Sequence, residues 1–285
     1  MEKCKRVAAI HDISGFGRCS LTVIMPILSA MSVQACPVPT AVFSAHTGFG
    51  KTEMRDLTDY IIPALDDYTR LGVNFDCIYS GFLASSEQID HCLEFFDRYK
   101  NALKVVDPVM GDGGSPYHTY TKQMCDRMIE LVRVADIITP NLTEAAILLS
   151  EPYPAAPIGK EVAKNWLRRL AEHGPDRVVI TSVPFEDETL CNVCYEKSTD
   201  TFCKIDVHFV PKQYSGSGDI FASVIVGSLL NDEPLSVAVS RATSFSEYAI
   251  KTTYQNSMFD MDGILVEPCL KWFFEEQELR NTVSL

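Results

Sequence analysis

The sequence predicts an α/β fold built on a largely parallel, doubly wound sheet, and three observations carry that prediction. Short apolar segments alternate with amphipathic helical ones from Val7 to Ser182. The apolar segments are nearly all hydrophobic, as strands are when helices cover both faces of a sheet. Polar or glycine-rich clusters follow several of them, where an open parallel sheet forms its ligand crevice. With 285 residues, 46% hydrophobic and 22% charged, the chain has material for one large core. No repeat, low-complexity tract or linker interrupts it, so residues 1–285 read as a single domain.

In order, a first strand from Val7 to Ile10 ends at His11-Asp12, and the glycine loop Ile13 to Ser20 follows. Leu21 to Met31 reads as a helix, bent or started near Pro26. Thr40 to Ser44 is a strand that runs into Ala45-His46-Thr47-Gly48-Phe49-Gly50-Lys51-Thr52, a loose phosphate-loop match with alanine for its first glycine. Leu57, Ile61, Ala64, Leu65 and Tyr68 follow at helical spacing, although Glu53 to Asp56 are too polar for the buried start of a phosphate-loop helix. Phe75 to Ser80 is a strand closed by Gly81, and Ile89, Cys92, Phe95, Phe96 and Tyr99 mark the next helix. Ala102 to Val106 is a strand ending in Asp107-Pro108-Val109-Met110-Gly111-Asp112. A helix from Gln123 to Val134 precedes the strand Asp136 to Asn141, and Glu144 opens a short helix to Leu149. Val162 to Leu170 is helical, and Arg177 to Ser182 is another strand. Thr189 to Tyr195 and Thr201 to Ile205, split by Glu196 to Asp200, predict an antiparallel hairpin at one sheet edge. Ile205 to Val210 is strand-like, Ile220 to Leu230 and Leu235 to Tyr254 are helical, and a last helix carries Trp272, Phe273 and Phe274.

A formal net charge of −13 and the lack of a basic cluster argue against nucleic-acid binding. Val7 to Ile10 is too short for a signal core or a membrane span, so a cytosolic protein is expected. The ten cysteines then read as reduced thiols. Cys191 and Cys194 stand three apart on a predicted strand, which points them to opposite faces and disfavours a shared metal.

The stretch with the most chemistry is Tyr214-Ser215-Gly216-Ser217-Gly218-Asp219, between a strand and an apolar helix. Small residues here allow a tight turn and leave the first helical N–H groups bare, an anion site reinforced by the helix dipole. Asp219 stands at its mouth, where it serves either as a base or simply as part of a capped turn. Asp12 lies where the crevice would open, and its other reading is a cap for the following turn. Asp107 with Asp112, Thr139 with Asn141 and Glu144, and Thr181 with Ser182 also fall at strand carboxyl ends, which converge on one crevice.

Gly216-Ser217-Gly218-Asp219, Asp107-Pro108-Val109-Met110-Gly111-Asp112, Thr139-Pro140-Asn141-Leu142-Thr143-Glu144 and Phe43-Ser44-Ala45-His46-Thr47 resemble, in order, the signatures of the pyridoxal kinases of the ribokinase-like superfamily. The resemblance implies a three-layer α/β/α fold and ATP-dependent phosphorylation of the hydroxymethyl group of vitamin B6. In that reading Asp219 is the general base and Gly216, Ser217 and Gly218 form the anion hole. Asn141, Thr181 and Ser182 hold ATP phosphates, with Ser217 beside them, while Asp107, Asp112 and Glu144 organise Mg²⁺ and leave room for a monovalent cation such as K⁺. Asp12, Ser44, His46, Thr47 and Phe82 lie on the substrate side, and a homodimer is implied. Asp12, Ala45 and the Ser14-Gly15-Phe16-Gly17 loop depart from the pyridoxal kinase pattern, and the loop looks more like that of the hydroxymethylpyrimidine kinases of thiamin synthesis, which remain the alternative. Asp12 does not separate the two, since it could accept from a ring hydroxyl or an exocyclic amine. A phosphate-loop hydrolase and a relative that binds ligand without catalysis are the other two readings.

Overall fold

The computed structural model describes residues 4–208, 210, 212, 214–256 and 260–285. Its first half contains β1 (Lys5–Ser14), α1 (Leu21–Ala30), β2 (Val33–Phe43), β3 (Met54–Asp56), α2 (Thr58–Arg70), β4 (Cys77–Ser80), α3 (Ser86–Arg98) and β5 (Leu103–Val106). A two-stranded ribbon of β6 (Gly111–Asp112) and β7 (Ser115–Pro116) leads to α4 (Lys122–Val132), β8 (Ile137–Ile138), α5 (Leu142–Leu149) and α6 (Lys160–Glu172). Then come β9 (Arg177–Pro184), β10 (Leu190–Glu196), β11 (Thr201–Val207), α7 (Ser217–Leu230), α8 (Leu235–Asn256) and β12 (Thr282–Ser284).

Among the described residues one ten-stranded sheet runs in the order β12-β11-β10-β9-β8-β5-β4-β1-β2-β3. From β9 to β2 every pairing is parallel, and beyond both ends the sheet turns antiparallel. The chain leaves β1 for β2 on one side and returns to β4 on the other. That reversal makes a crevice outside the carboxyl ends of β1 and β4. Right-handed crossovers in opposite directions also put helices on opposite faces. Accordingly α1, α7 and α8 cover one face, with Val7, Ala9, Tyr79, Val105 and Ile137 beneath them. Helices α2 to α6 cover the other, over Ala8, Ile10, Ile78, Val106 and Ile138. Cys191 belongs to one core and Cys194 to the other, as their spacing predicts.

The antiparallel hairpin at one edge is present as β10 and β11, and β12 extends it. Of the strand-like run to Val210, β11 ends at Val207 and Phe209 lies outside the described residues. Four local expectations change. β2 begins at Val33 rather than Thr40, with Pro37 and Pro39 inside it; β3 pairs only Ala41 to Phe43, so the proline half lacks a neighbour on that side. Gly50-Lys51-Thr52 leads into β3 rather than into a helix, which removes the structural context of a phosphate loop. The stretch Glu267–Phe274 forms 3₁₀ turns in place of a final α-helix. Gly111 to Pro116, read only as a loop, closes into the β6–β7 ribbon.

Candidate active site

Helix α7 brings Asp219 to the crevice. Its cap, Gly216, has φ 87°, and a Cβ there would lie 2.5 Å from the Arg18 carbonyl oxygen, so only glycine fits without strain. No side chain caps this helix. Gly218 faces open space instead, with nothing within 4 Å of an added Cβ. The first turn of α7 is thus closely packed at Gly216 and open at Gly218.

Asp219 Oδ2 accepts the backbone N–H of Ser20 at 2.8 Å, and the Ser20 hydroxyl donates to Asp12 Oδ1 at 2.6 Å. The Ser14 hydroxyl donates to Asp12 Oδ2 at 3.4 Å. Ser20 therefore ties the two carboxylates together, and it does so with φ 49°, a left-handed backbone uncommon for serine. Burial pushes Asp219 up to about 6 against the lowering effect of the Ser20 N–H. Burial also raises Asp12, despite its two hydroxyl donors.

Strand alternation explains the next contact. Leu103, Val105 and Asp107 share the face under α7, as do Ile137 and Thr139 on the neighbouring strand. The Thr139 hydroxyl donates to Asp107 Oδ1 at 3.1 Å. Asp107 is raised to about 7, first by burial and then by the nearby Asp219 carboxylate. These two acids favour a cation or a proton between them.

The start of α5 is filled by its own residues. Asn141 Oδ1 accepts the N–H groups of Thr143 at 2.8 Å and Glu144 at 3.0 Å, and Glu144 Oε2 accepts the Asn141 N–H at 2.8 Å, a complete capping box. Glu144 Oε1 also accepts from Met110 at 3.0 Å, and Asn141 Nδ2 donates to the Gly111 carbonyl at 2.8 Å. Burial and Asp107 hold the Glu144 carboxyl well above its usual range, against these backbone donors. Asp112 is exposed and accepts from Gly113 at 2.7 Å. Asp107, Asp112 and Glu144 make no closed cage: among the described residues no group of three or more His, Cys, Asp or Glu is placed to hold a metal ion. Thr181 bridges to Asn141, donating its N–H to the Pro140 carbonyl at 3.0 Å. Exposed Ser182, at φ 55°, donates its N–H to Asn192 Oδ1 at 2.9 Å.

On the other side, the Ser44 hydroxyl accepts from Glu53 N–H at 3.1 Å. His46 is buried. Its Nδ1 accepts the Gly48 N–H at 3.1 Å, which leaves the proton on Nε2 to donate to the Met261 carbonyl at 2.6 Å. The Ser215 hydroxyl lies 3.4 Å from the same Nδ1, so His46 ties its loop to residue 261 and to the approach of α7. Thr47 is exposed at the tip of that loop. Half-buried Phe82 meets Phe43 edge-on at 5.7 Å and Tyr120 at 6.1 Å.

Two residues that sequence reasoning passed over lie beside the Asp219 carboxylate. Ser20 was only the end of a loop, and His11 only the end of a strand. His11 is fully buried, with Nδ1 4.0 Å from Asp219 Oδ1. A single sequence carries no signal for either, because both contacts join residues about 200 positions apart.

Comparisons with known proteins identify the family and the fold. A family model described as phosphomethylpyrimidine kinase matches residues 25–261. A Bacteroides thetaiotaomicron protein, provisionally named a phosphomethylpyrimidine kinase and crystallised with pyridoxal, is 40% identical; the match has a TM-score of 0.94 and covers 99% of this chain and 100% of that one. Pyridoxal kinase from Lactobacillus plantarum is 27% identical with a TM-score of 0.87, over 95% of this chain and 97% of its own. A Haemophilus influenzae pyridoxal kinase is 29% identical over 278 residues, 89% of this chain and 90% of the relative. The chain belongs to the phosphomethylpyrimidine kinase family and, with the pyridoxal kinases, to the ribokinase-like superfamily of phosphotransferases.

Proposed function

We propose that this protein phosphorylates the hydroxymethyl group of pyridoxal, pyridoxamine and pyridoxine, with ATP as donor. The observation that carries this reading is Asp219, set in the uncapped first turn of α7 and bonded through Ser20 to Asp12. The 40% identical protein crystallised with pyridoxal supports the substrate class. Asp219 Oδ2 is engaged by Ser20, so Oδ1 is the oxygen that takes the alcohol proton late in the transfer. The open first turn, Ser217 and Gly218 above all, stabilises the charge on the moving phosphoryl group. Asp12 accepts a hydrogen bond from a ring substituent, and Ser44, Thr47 and Phe82 line the ring side. His46 contributes by holding the loop that carries Thr47.

Thr181, Ser182 and Asn141 line the phosphate side. Asn141 has its oxygen committed to the cap and one N–H to Gly111, so a phosphate contact rests on its second N–H. The acidic residues fit Mg²⁺ held mainly by phosphates and water, with one or two carboxylates. Asp107 has the available oxygen, Asp112 is exposed, and Glu144 is committed to backbone donors and shapes the loop. Bound there, Mg²⁺ would offset the charge of the phosphates. The β2–β3 edge, with exposed Val42, Phe49 and Met54, is the surface we assign to a homodimer.

The family description and the Ser14-Gly15-Phe16-Gly17 loop favour a second substrate, hydroxymethylpyrimidine. The test is ATP consumption by purified protein with Mg²⁺, with each B6 vitamer and the pyrimidine compared against a blank without acceptor. Turnover of the vitamers with little of the pyrimidine is expected. Turnover of the pyrimidine alone would replace this reading, and hydrolysis without acceptor would remove it.

A further inference from the structure

His11 continues the face of Val7 and Ala9 and ends up under the first turn of α7. It is fully buried, and neither ring nitrogen has a hydrogen-bond partner among the described residues. Buried imidazoles normally find partners, because an unmet polar atom costs free energy that an apolar side chain at the same place would not. The surroundings are built around this ring. Tyr79 meets it edge-on, with centroids 4.3 Å apart, and a Cβ on Gly81 would come within 2.1 Å of its Cε1, so the glycine that ends β4 makes its space. Burial keeps the ring neutral, with its pKa lowered to about 3. A neutral imidazole has one N–H, and Nδ1 is the nitrogen that faces Asp219 Oδ1, at 4.0 Å.

We infer that His11 is a positioning residue for phosphoryl transfer, presenting its Nδ1–H to Asp219 Oδ1 and so fixing the oxygen that takes the alcohol proton. The 4.0 Å gap closes when substrate seats, as catalytic hydrogen bonds do on forming the reactive complex. Ser20 and His11 then hold the two oxygens of one carboxylate from opposite sides. This inference rests on the proposed kinase reaction.

The test compares His11→Val, His11→Leu and His11→Asn with the wild type. Valine suits a strand and is smaller than the ring, leucine fills more of the space, and asparagine restores an N–H near the position of Nδ1. For each variant with a cooperative melt, kcat and KM for pyridoxal and for ATP are measured. The apolar variants should lose roughly 10- to 100-fold in kcat with both KM values within about threefold, and His11→Asn should recover most of the loss. Equal kcat in apolar and amide variants, high or low, would overturn the assignment, as would a loss confined to KM. A wild type that consumes ATP with no B6 vitamer would instead overturn the substrate reading, and with it the reaction that His11 is said to serve.

Discussion

Two helices begin at the carboxyl ends of the sheet and treat their free N–H groups in opposite ways. Helix α5 closes its first turn with Asn141 and Glu144, so its own residues occupy the donors. Helix α7 starts on Gly216 with no side-chain cap and opens onto Gly218. The dipole at both ends attracts negative charge, but at α5 the carboxylate of Glu144 already satisfies it. With glycine at its N-cap, the α7 terminus forgoes only about a few tenths of a kcal/mol of helix stability. On the proposed reaction, the difference separates a terminus that stabilises the fold from one kept free for a phosphoryl group.

The largest expected effect comes from Asp219→Asn. It removes the proposed base while keeping an oxygen to accept from Ser20, so kcat should fall roughly 10²- to 10⁴-fold with nucleotide affinity nearly unchanged. The same residue sets a pH limb: with Asp219 raised to about 6, kcat/KM for pyridoxal should drop as the pH falls through about 6. For stability the sign is reversed. A carboxyl whose folded pKa is raised binds its proton more tightly in the native state, so its ionisation lowers stability as pH rises from its unfolded value of 3.8 through about 6. Asp219→Asn should therefore melt no lower than the wild type at pH 8, with the difference shrinking towards pH 4. Near wild-type turnover in the Asn variant would exclude Asp219 as the base.

Gly218→Ala comes next and isolates the open part of the terminus. Its Cβ meets no atom within 4 Å, and the residue is helical, so the fold should gain roughly 0.4–1 kcal/mol from the lost chain entropy of the unfolded state. The methyl group projects where the phosphoryl group would sit, and kcat/KM for ATP should fall about tenfold. Gly216→Ala acts in the reverse way: at φ 87° and 2.5 Å from the Arg18 carbonyl it should lower the melting temperature first. A Gly218→Ala variant that melts lower yet turns over normally would mean the two glycines have been assigned the wrong way round.

The uncapped α7 terminus was legible in the sequence because its geometry is local: small residues between strand and helix leave the first N–H groups bare whatever the rest of the fold does. The parallel sheet was legible for a similar reason, since burial on both faces leaves strands hydrophobic throughout. β3 and β12 were not, being three-residue edge strands made by pairing rather than by a pattern. Pro37 and Pro39 hid the first half of β2, because prolines argue against a strand unless one side is known to be free. Gly50-Lys51-Thr52 matched a phosphate loop in residue types, but only the strand that follows excludes it. Asn141 and Glu144 were visible as polar residues in the right place. That their hydrogen bonds turn inward, to each other and to Met110 and Gly111, depends on how two loops pack. Ser20 and His11 reach Asp219 only through the folded topology.

Asn141→Ala tests the closed terminus and has the smallest expected effect on chemistry. It removes the acceptor for Thr143 and Glu144 and the donor to Gly111, so the loss should be about 2 kcal/mol, or roughly 4 °C in melting temperature. Glu144 stays buried with its other donors, so the loop should keep its path below the melting transition. At 25 °C, kcat should stay within about threefold of the wild type, and KM for ATP should rise only by what one N–H to a phosphate contributes, roughly tenfold at most. Thermal melts and ATP titrations on the same preparation read both quantities. An unchanged melting temperature with a collapse of kcat on the scale of Asp219→Asn would place Asn141 in the chemistry, and α5 would then resemble α7 in keeping its first turn for the ligand.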